Sequence, residues 1–339
     1  MAAQQTRPRV VVVTGGTAGV GRATARAFAD RGDSVAVLAR GEDGLRATEA
    51  DLRERGVPAL AVRCDVADAA QVEAAARRVE AELGPIDVWV NNAMTTVFGT
   101  FESMSDEEFR RVTEVNYLGY AYGTRAALTR MKPRGTGRII QVGSSLAYRG
   151  IPLQSAYCGS KHAIQGLCDS LRAELLHDGT DVTVSMVQLP AMNTPQFRIT
   201  KSYMPRKAQP VPPIYQPEVA AQAIVRAAEA GRREYWVAPI TALTILGNRV
   251  APGLLDHYLG RTGFDAQQVD EPEDRPRPDN LHAPVPGDHG AHGAFDDQAK
   301  PRTLEFLPPV FPRAVVGIGT RLVGLGASAL SLTSRKAAS

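Results

Sequence analysis

Cysteine is scarce in this chain. Cys64, Cys158 and Cys168 are the three present in 339 residues, at no paired spacing. That excludes a disulfide framework and fits reduced thiols in a cytoplasmic compartment. Lysine is almost as rare, with six residues, so arginine carries most of the positive charge. The net charge is only +3, too small to argue for nucleic acid or an anionic membrane as a partner. No apolar stretch precedes residue 9, so no secretion signal is expected, and no repeat of fixed period is found. The 44% apolar share suits an ordinary globular core, and the length allows one large domain or two small ones.

What is present is order along the chain. Short apolar runs at residues 9–13, 34–39, 59–63, 86–90, 138–142, 182–188 and 235–238 read as strands. Helical patterns fall between them, at 41–55, 68–82, 109–131, 155–177 and 217–230. The strands show little alternation, as expected where both faces of a parallel sheet are covered. Right-handed crossovers then predict an α/β fold with a doubly wound, mostly parallel, Rossmann-like sheet and a C-terminal extension.

The first strand runs into Thr14, Gly15, Gly16, Thr17, Ala18, Gly19, Val20 and Gly21, and residues 22–31 continue as a helix. Strand, glycine-rich turn and helix make a dinucleotide-binding layout. Gly15 permits the tight turn, Gly19 lets backbone approach a pyrophosphate, and Gly21 lets the helix pack close to the strand. The helix N-terminus offers free N–H groups and partial positive charge to phosphates.

A second pattern lies near the middle of the chain. Tyr157 and Lys161 are four apart, and Ser144 lies thirteen residues before the tyrosine. One helical turn places phenol and ammonium on one face. A nearby cation favours phenolate and lowers a pKa that is ordinarily about 10. A serine hydroxyl there can hold a substrate oxygen while the tyrosine exchanges its proton.

Together these motifs resemble the short-chain dehydrogenase/reductase family over residues 8–240. Thr14 to Gly21 is similar to the family's cofactor turn, with Thr17 and Val20 among its contacts. Asp65, followed by Val66, resembles the acid that meets the adenine. Asn91, Asn92, Ala93 and Met94 resemble NNAG, with methionine in the glycine position. Asn116 matches the catalytic asparagine, which the resemblance implies holds a water relaying protons to Lys161. Ser144, Tyr157 and Lys161 complete a tetrad, Lys161 also reaching the nicotinamide ribose. Pro190 to Thr194 resembles the segment that meets the nicotinamide, with Ala191 in place of the usual glycine. The resemblance implies an oxidoreductase that interconverts an alcohol with a ketone or aldehyde, Tyr157 being the general acid/base. It also implies a homodimer or homotetramer built on helices 109–131 and 155–177.

The second strand ends at Ala39, where a carboxylate would hold the adenosine ribose, and Arg40 follows. An arginine there can pair with a 2′-phosphate, so NADP(H) is expected over NAD(H). Met94, Tyr148, Leu153, Met192 and Phe197 are expected to line the substrate pocket with Ser144, and their apolar character points to a lipophilic alcohol or ketone. Asp288, His289 and His292 lack further convergent ligands in sequence, so no metal is expected. Two other function classes stay open: an idle NADP(H)-binding sensor or assembly protein, and a membrane-associated lipid-handling module.

Three regions are expected: a catalytic domain over 1–262, an arm or linker over 263–312, and a small-residue apolar segment over 313–339. Nine of the 23 prolines lie in residues 270–312. A further helix is expected over 241–259. Residues 314–332 are mostly small and apolar but contain Arg321. Docking on the domain or on a partner subunit, peripheral membrane contact and a membrane span are the three readings of that segment.

Overall fold

Each apolar run becomes a strand. The computed structural model describes residues 7–306. Its main sheet has seven parallel strands: β1 (Val10–Thr14), β2 (Ser34–Ala39), β3 (Ala59–Arg63), β4 (Ile86–Asn91), β5 (Thr136–Val142), β6 (Asp181–Gln188) and β7 (Glu234–Val237). They lie in the order β7-β6-β5-β4-β1-β2-β3. An antiparallel edge strand from the extension, β8 (Glu305–Phe306), pairs with β7. The chain winds one way from β1 to β3 and the other way from β4 to β7. The order therefore reverses between β1 and β4, which opens a crevice at the strands' carboxyl ends.

Alternation along β1 supplies two cores. Val11 and Val13 join Val35, Val37, Phe28 and Ile224 on one face. Val10 and Val12 join Ala36, Leu38, Trp89, Ile139 and Ile164 on the other. Helices α1 (Gly19–Ala29) and α7 (Pro217–Ala230) cover the first face. Helices α3 (Ala69–Leu83), α5 (Gly119–Met131) and α6 (Ser155–His177) cover the second. Helix α2 (Glu42–Glu54) packs beside β2 and β3. Local signals set several ends: Asp68 caps α3 through Ala70 and Gln71 N–H groups, and Gly231 ends α7 at φ 58°.

Two expected helices are broken. The pattern over 109–131 becomes α4 (Asp106–Thr113), a π turn (Glu114–Leu118) and α5. α4 starts on a Ser105–Glu108 capping box. The π turn sits around Asn116, whose amide is bound to backbone outside the helix. The helix expected over 241–259 becomes α8 (Pro239–Val250) and α9 (Pro252–Thr262). Pro252 forces the residue before it out of the helical region, and Ala251 sits at φ −141°, ψ 60°.

The stretch 263–306 runs back along the domain. Gln268–Pro272 pairs antiparallel with Arg206–Ala208. Residues 280–296 then cross the carboxyl end of the sheet as a strap. Leu281 is buried among Val97, Met104, Val112 and Ala156, and Ala291 against Ala23 and Ala221. Phe295 meets Phe197 edge-on at 6.0 Å. The expectations for 313–339 lie outside the described residues. Among the described residues no helix is long and apolar enough to cross a membrane.

Candidate active site

The glycine turn is shaped by close approach. Gly15 has φ +63°, and a Cβ on it would lie 2.7 Å from Ala93 Cα. A Cβ on Gly21 would lie 2.1 Å from Gly15 O and 2.5 Å from the Asn92 amide nitrogen. That amide in turn donates to Thr14 O at 3.0 Å and to Gly15 O at 3.2 Å. Thr14 Oγ1 accepts from Asn92 N and Ala93 N at 2.9 and 3.1 Å. The β1 turn, the start of α1 and the end of β4 are thus one hydrogen-bonded cradle. Gly21→Ala is expected to cost about 1–3 kcal/mol of stability and to weaken dinucleotide binding about tenfold or more. Thermal unfolding and calorimetric titration check it, and wild-type values for both would contradict this account of the cradle.

A cavity of about 980 Å³ starts at this cradle and runs along the crevice. Gly15, Thr17, Gly19 and Val20 line one end with Ala39, Arg40, Asp65 and Val66. Asn92, Ala93, Pro190 and Thr194 line its middle, and Ser144, Tyr157 and Lys161 lie further along. Met94, Met192 and Phe197 are on its wall, with Leu243, Leu254, Leu255 and Leu259 from α8 and α9. A glycine cradle, a helix N-terminus and a long crevice fit a dinucleotide.

Tyr148 and Leu153 correct the expected pocket, for neither lines the cavity. The Tyr148 hydroxyl donates to Glu234 Oε1 at 2.8 Å, behind the wall. Leu153, at φ 68°, packs with Phe98, Phe197 and Ala208. Gly21 lies beneath the lining, as its packing role requires. The α8–α9 wall was not foreseen as part of the pocket, although its run of leucines was visible in sequence.

Helix α6 brings Tyr157 and Lys161 together, with Lys161 Nζ 5.5 Å from the tyrosine ring centre. Ser144 ends the loop after β5, and its Oγ accepts from Leu146 N at 3.1 Å. The Ser144 side chain also stands near enough to the Tyr157 hydroxyl to favour its ionised form. Burial raises the Tyr157 phenol well above its ordinary value, against the lowering effect of that serine. Burial also pushes the Lys161 ammonium down to about 7. The expected depression of Tyr157 is therefore absent here, because loss of water outweighs the effect of Ser144. Lys161 Nζ donates to Val142 O at 2.7 Å and to the Tyr120 hydroxyl at 3.1 Å.

Asn116 is fully buried, and its side chain is fully engaged. Its Oδ1 accepts from Thr95 N at 2.9 Å, and its Nδ2 donates to Thr95 O at 2.9 Å and Ser160 Oγ at 3.2 Å. It pins the π turn to the loop after β4 and to α6.

At the far end the strap meets the sites expected for the adenosine and pyrophosphate. Arg40 donates to the carbonyls of Asn280, Leu281 and His282, the last at 3.0 Å. Arg111, which sequence reasoning missed, donates to Leu281 O at 3.1 Å and pairs with Asp65. Gly19 N, expected to face a pyrophosphate, donates to Gly290 O at 3.0 Å. Carbonyls orient the Arg40 guanidinium but do not cancel its charge, and among the described residues no carboxylate lies within ion-pair distance of it. Asp288 pairs with Arg22 at 3.3 Å. His292 lies 2.9 Å from Glu218 and 3.2 Å from Asp296, and His289 Nε2 lies 3.1 Å from Val285 O.

Known proteins resemble this chain in sequence and fold. The family model for short chain dehydrogenase matches residues 9–203. The uncharacterized oxidoreductase YxnA of Bacillus subtilis (strain 168) is 33% identical over 269 residues, covering 78% of this chain and 75% of that protein. The 3-dehydrosphinganine reductase of Danio rerio is 34% identical over 229 residues, covering 65% of this chain and 68% of the relative. The solved alcohol dehydrogenase of the archaeon Thermococcus sibiricus, complexed with 5-hydroxy-NADP, superposes with a TM-score of 0.58 at 31% identity, covering 67% of this chain and 95% of that one. The chain belongs to the short-chain dehydrogenase/reductase family and is an oxidoreductase acting on CH–OH and C=O groups.

Proposed function

We propose that the protein interconverts a lipophilic ketone or aldehyde with its alcohol, using NADP(H), with Tyr157 as general acid/base. The observation that carries this reading is the Ser144–Tyr157–Lys161 group standing in one cavity with the glycine cradle. An idle sensor would need the cradle but not a phenol placed near a serine and a buried ammonium.

Gly15, Thr17, Gly19 and Val20 would hold the phosphates, Asp65 and Val66 the adenine side, and Arg40 a 2′-phosphate. Asn92, Ala93, Lys161, Pro190 and Thr194 would hold the nicotinamide half. When bound, the nicotinamide supplies or accepts the hydride. Ser144 donates a hydrogen bond to the substrate oxygen and fixes it beside the Tyr157 hydroxyl. Tyr157 is a protonated phenol at neutral pH, and burial reinforces that state, the form from which a carbonyl oxygen can take a proton. Lys161 below its value of about 7 is an ammonium, and its charge steadies the phenolate left behind. The Thermococcus neighbour's NADP analogue supports the cofactor choice, and the charge retained by Arg40 supports it independently.

The substrate class follows from the wall. Met94, Met192 and Phe197 face the cavity with four leucines of α8 and α9. The Danio rerio relative's name is compatible with that class. In a series of methyl ketones of rising chain length, kcat/KM is expected to grow about fourfold per buried CH₂ until the wall is covered. A flat series, or preference for small polar sugars, would sink the lipophilic assignment.

A further inference from the structure

Helix α5 places a second tyrosine against Lys161. Tyr120 is fully buried, and its hydroxyl donates to Val142 O at 3.0 Å while accepting from Lys161 Nζ at 3.1 Å. Its ring also lies under the ammonium, 4.7 Å from Nζ to the ring centre. Lys161 meanwhile donates to the same Val142 carbonyl at 2.7 Å. Hydroxyl, ammonium and carbonyl thus close a small buried triangle, with the aromatic face as its floor.

This geometry goes beyond the tetrad. Tyr120 follows Asn116 by one helical turn, so the π turn that fixes Asn116 also sets where Tyr120 points. An ammonium on four single bonds, with one carbonyl partner alone, would have freedom to swing. Two partners and a ring face remove that freedom. They leave the remaining N–H free to point toward the Tyr157 side of the cavity.

We infer that Tyr120 is a positioning residue, whose hydroxyl and ring hold the Lys161 ammonium in place and in its charged form for its action on Tyr157. The inference deepens the proposed chemistry and rests on it. The titratable groups around Lys161 are Tyr157 on its own helix and Tyr120 on α5; β5 presents only the Val142 carbonyl. Cys158, beside Tyr157, has its thiol pushed up to about 11 by burial. Burial also raises the Tyr120 phenol well above its ordinary value, followed by the effect of a charge on Tyr157, so it stays a neutral hydroxyl. A neutral hydroxyl accepting from the ammonium favours the charged lysine, and its loss lowers the lysine's pKa.

The test uses the full chain with Tyr120→Phe, which keeps the ring and removes the hydroxyl. The chain has only six lysines, so ¹³Cε-lysine NMR can follow Lys161, assigned with Lys161→Met. The expected result is a Lys161 midpoint lower by about one pH unit, a tenfold change in its protonation constant. Tyr122→Phe on the same helix is the control and is expected to leave the midpoint unmoved. In alcohol oxidation the acid limb of the kcat/KM profile is expected to move up by a similar amount, because Tyr157 ionises less readily beside a weaker cation. An unchanged Lys161 midpoint in Tyr120→Phe would overturn the inference. Wild-type activity in Tyr157→Phe would instead strike the proposed chemistry, and the NMR midpoint separates the two results.

Discussion

Tyr157→Phe is expected to lower turnover by about 10²–10⁴-fold while dinucleotide affinity stays within about threefold. The substitution keeps the ring that α6 presents and removes only the hydroxyl near Ser144. The contacts of the glycine cradle lie elsewhere, on β1, β2, α1, the end of β4 and the residues after it, and at Thr194 and Gly290. Binding and chemistry therefore separate in this variant. Without the phenol, a proton for the substrate oxygen must come from water, and the apolar wall limits water's access. Rapid-mixing turnover and direct titration with NADPH check the two halves. Turnover close to wild type would remove Tyr157 from the mechanism, and joint loss of turnover and binding would show that the hydroxyl supports the cofactor site and not the chemistry alone.

Arg40→Ala is expected to reduce the preference for NADPH over NADH by about 10- to 150-fold, the effect of losing one charged hydrogen-bond partner worth about 1.5–3 kcal/mol. Arg40 follows β2 at the position where its cation would meet the adenosine ribose in the proposed reading, and Ala39 contributes no carboxylate to oppose a phosphate. Arg111 is close by, but its charge is met by Asp65. The strap carbonyls hold the Arg40 guanidinium in place without neutralising it. Removing Arg40 also strips donors from three strap carbonyls, so both cofactors are expected to bind somewhat less tightly. The ratio of the two kcat/KM values isolates the phosphate from that common loss. An unchanged ratio would mean that Arg40 serves the strap alone.

Local pattern carried most of the fold and the tetrad into view. Apolar runs without alternation marked the parallel strands, and the spacing of Tyr157 and Lys161 needed only a helix to bring them together. What stayed hidden depends on contacts distant in sequence. Arg40 meets residues 280–282, and Gly19 meets Gly290; no window around either residue contains its partner. Tyr120 was reachable, because it lies one turn after Asn116 on a helix already expected, yet its partner Lys161 is 41 residues further on. The π turn escaped because its cause is the Thr95 backbone, not its own residues. Tyr148 and Leu153 lie close in sequence to Ser144 and Tyr157, which is why the pocket was expected to include them. Which way each turns is decided by Glu234 and by the Phe98 cluster. The direction of the Tyr157 shift was hidden for a related reason: a nearby cation is visible in sequence, whereas loss of water around the phenol is a property of the folded chain.

The most direct measurement follows an isotope. With deuterium at the transferable C4 position of NADPH and a long-chain methyl ketone as substrate, the product alcohol should carry one deuterium on its carbinol carbon per NADPH consumed. The label should vanish from the product in Tyr157→Phe at the same enzyme concentration. NADPH consumption without label at that carbon, or label transfer that persists at the wild-type rate in Tyr157→Phe, would contradict the account.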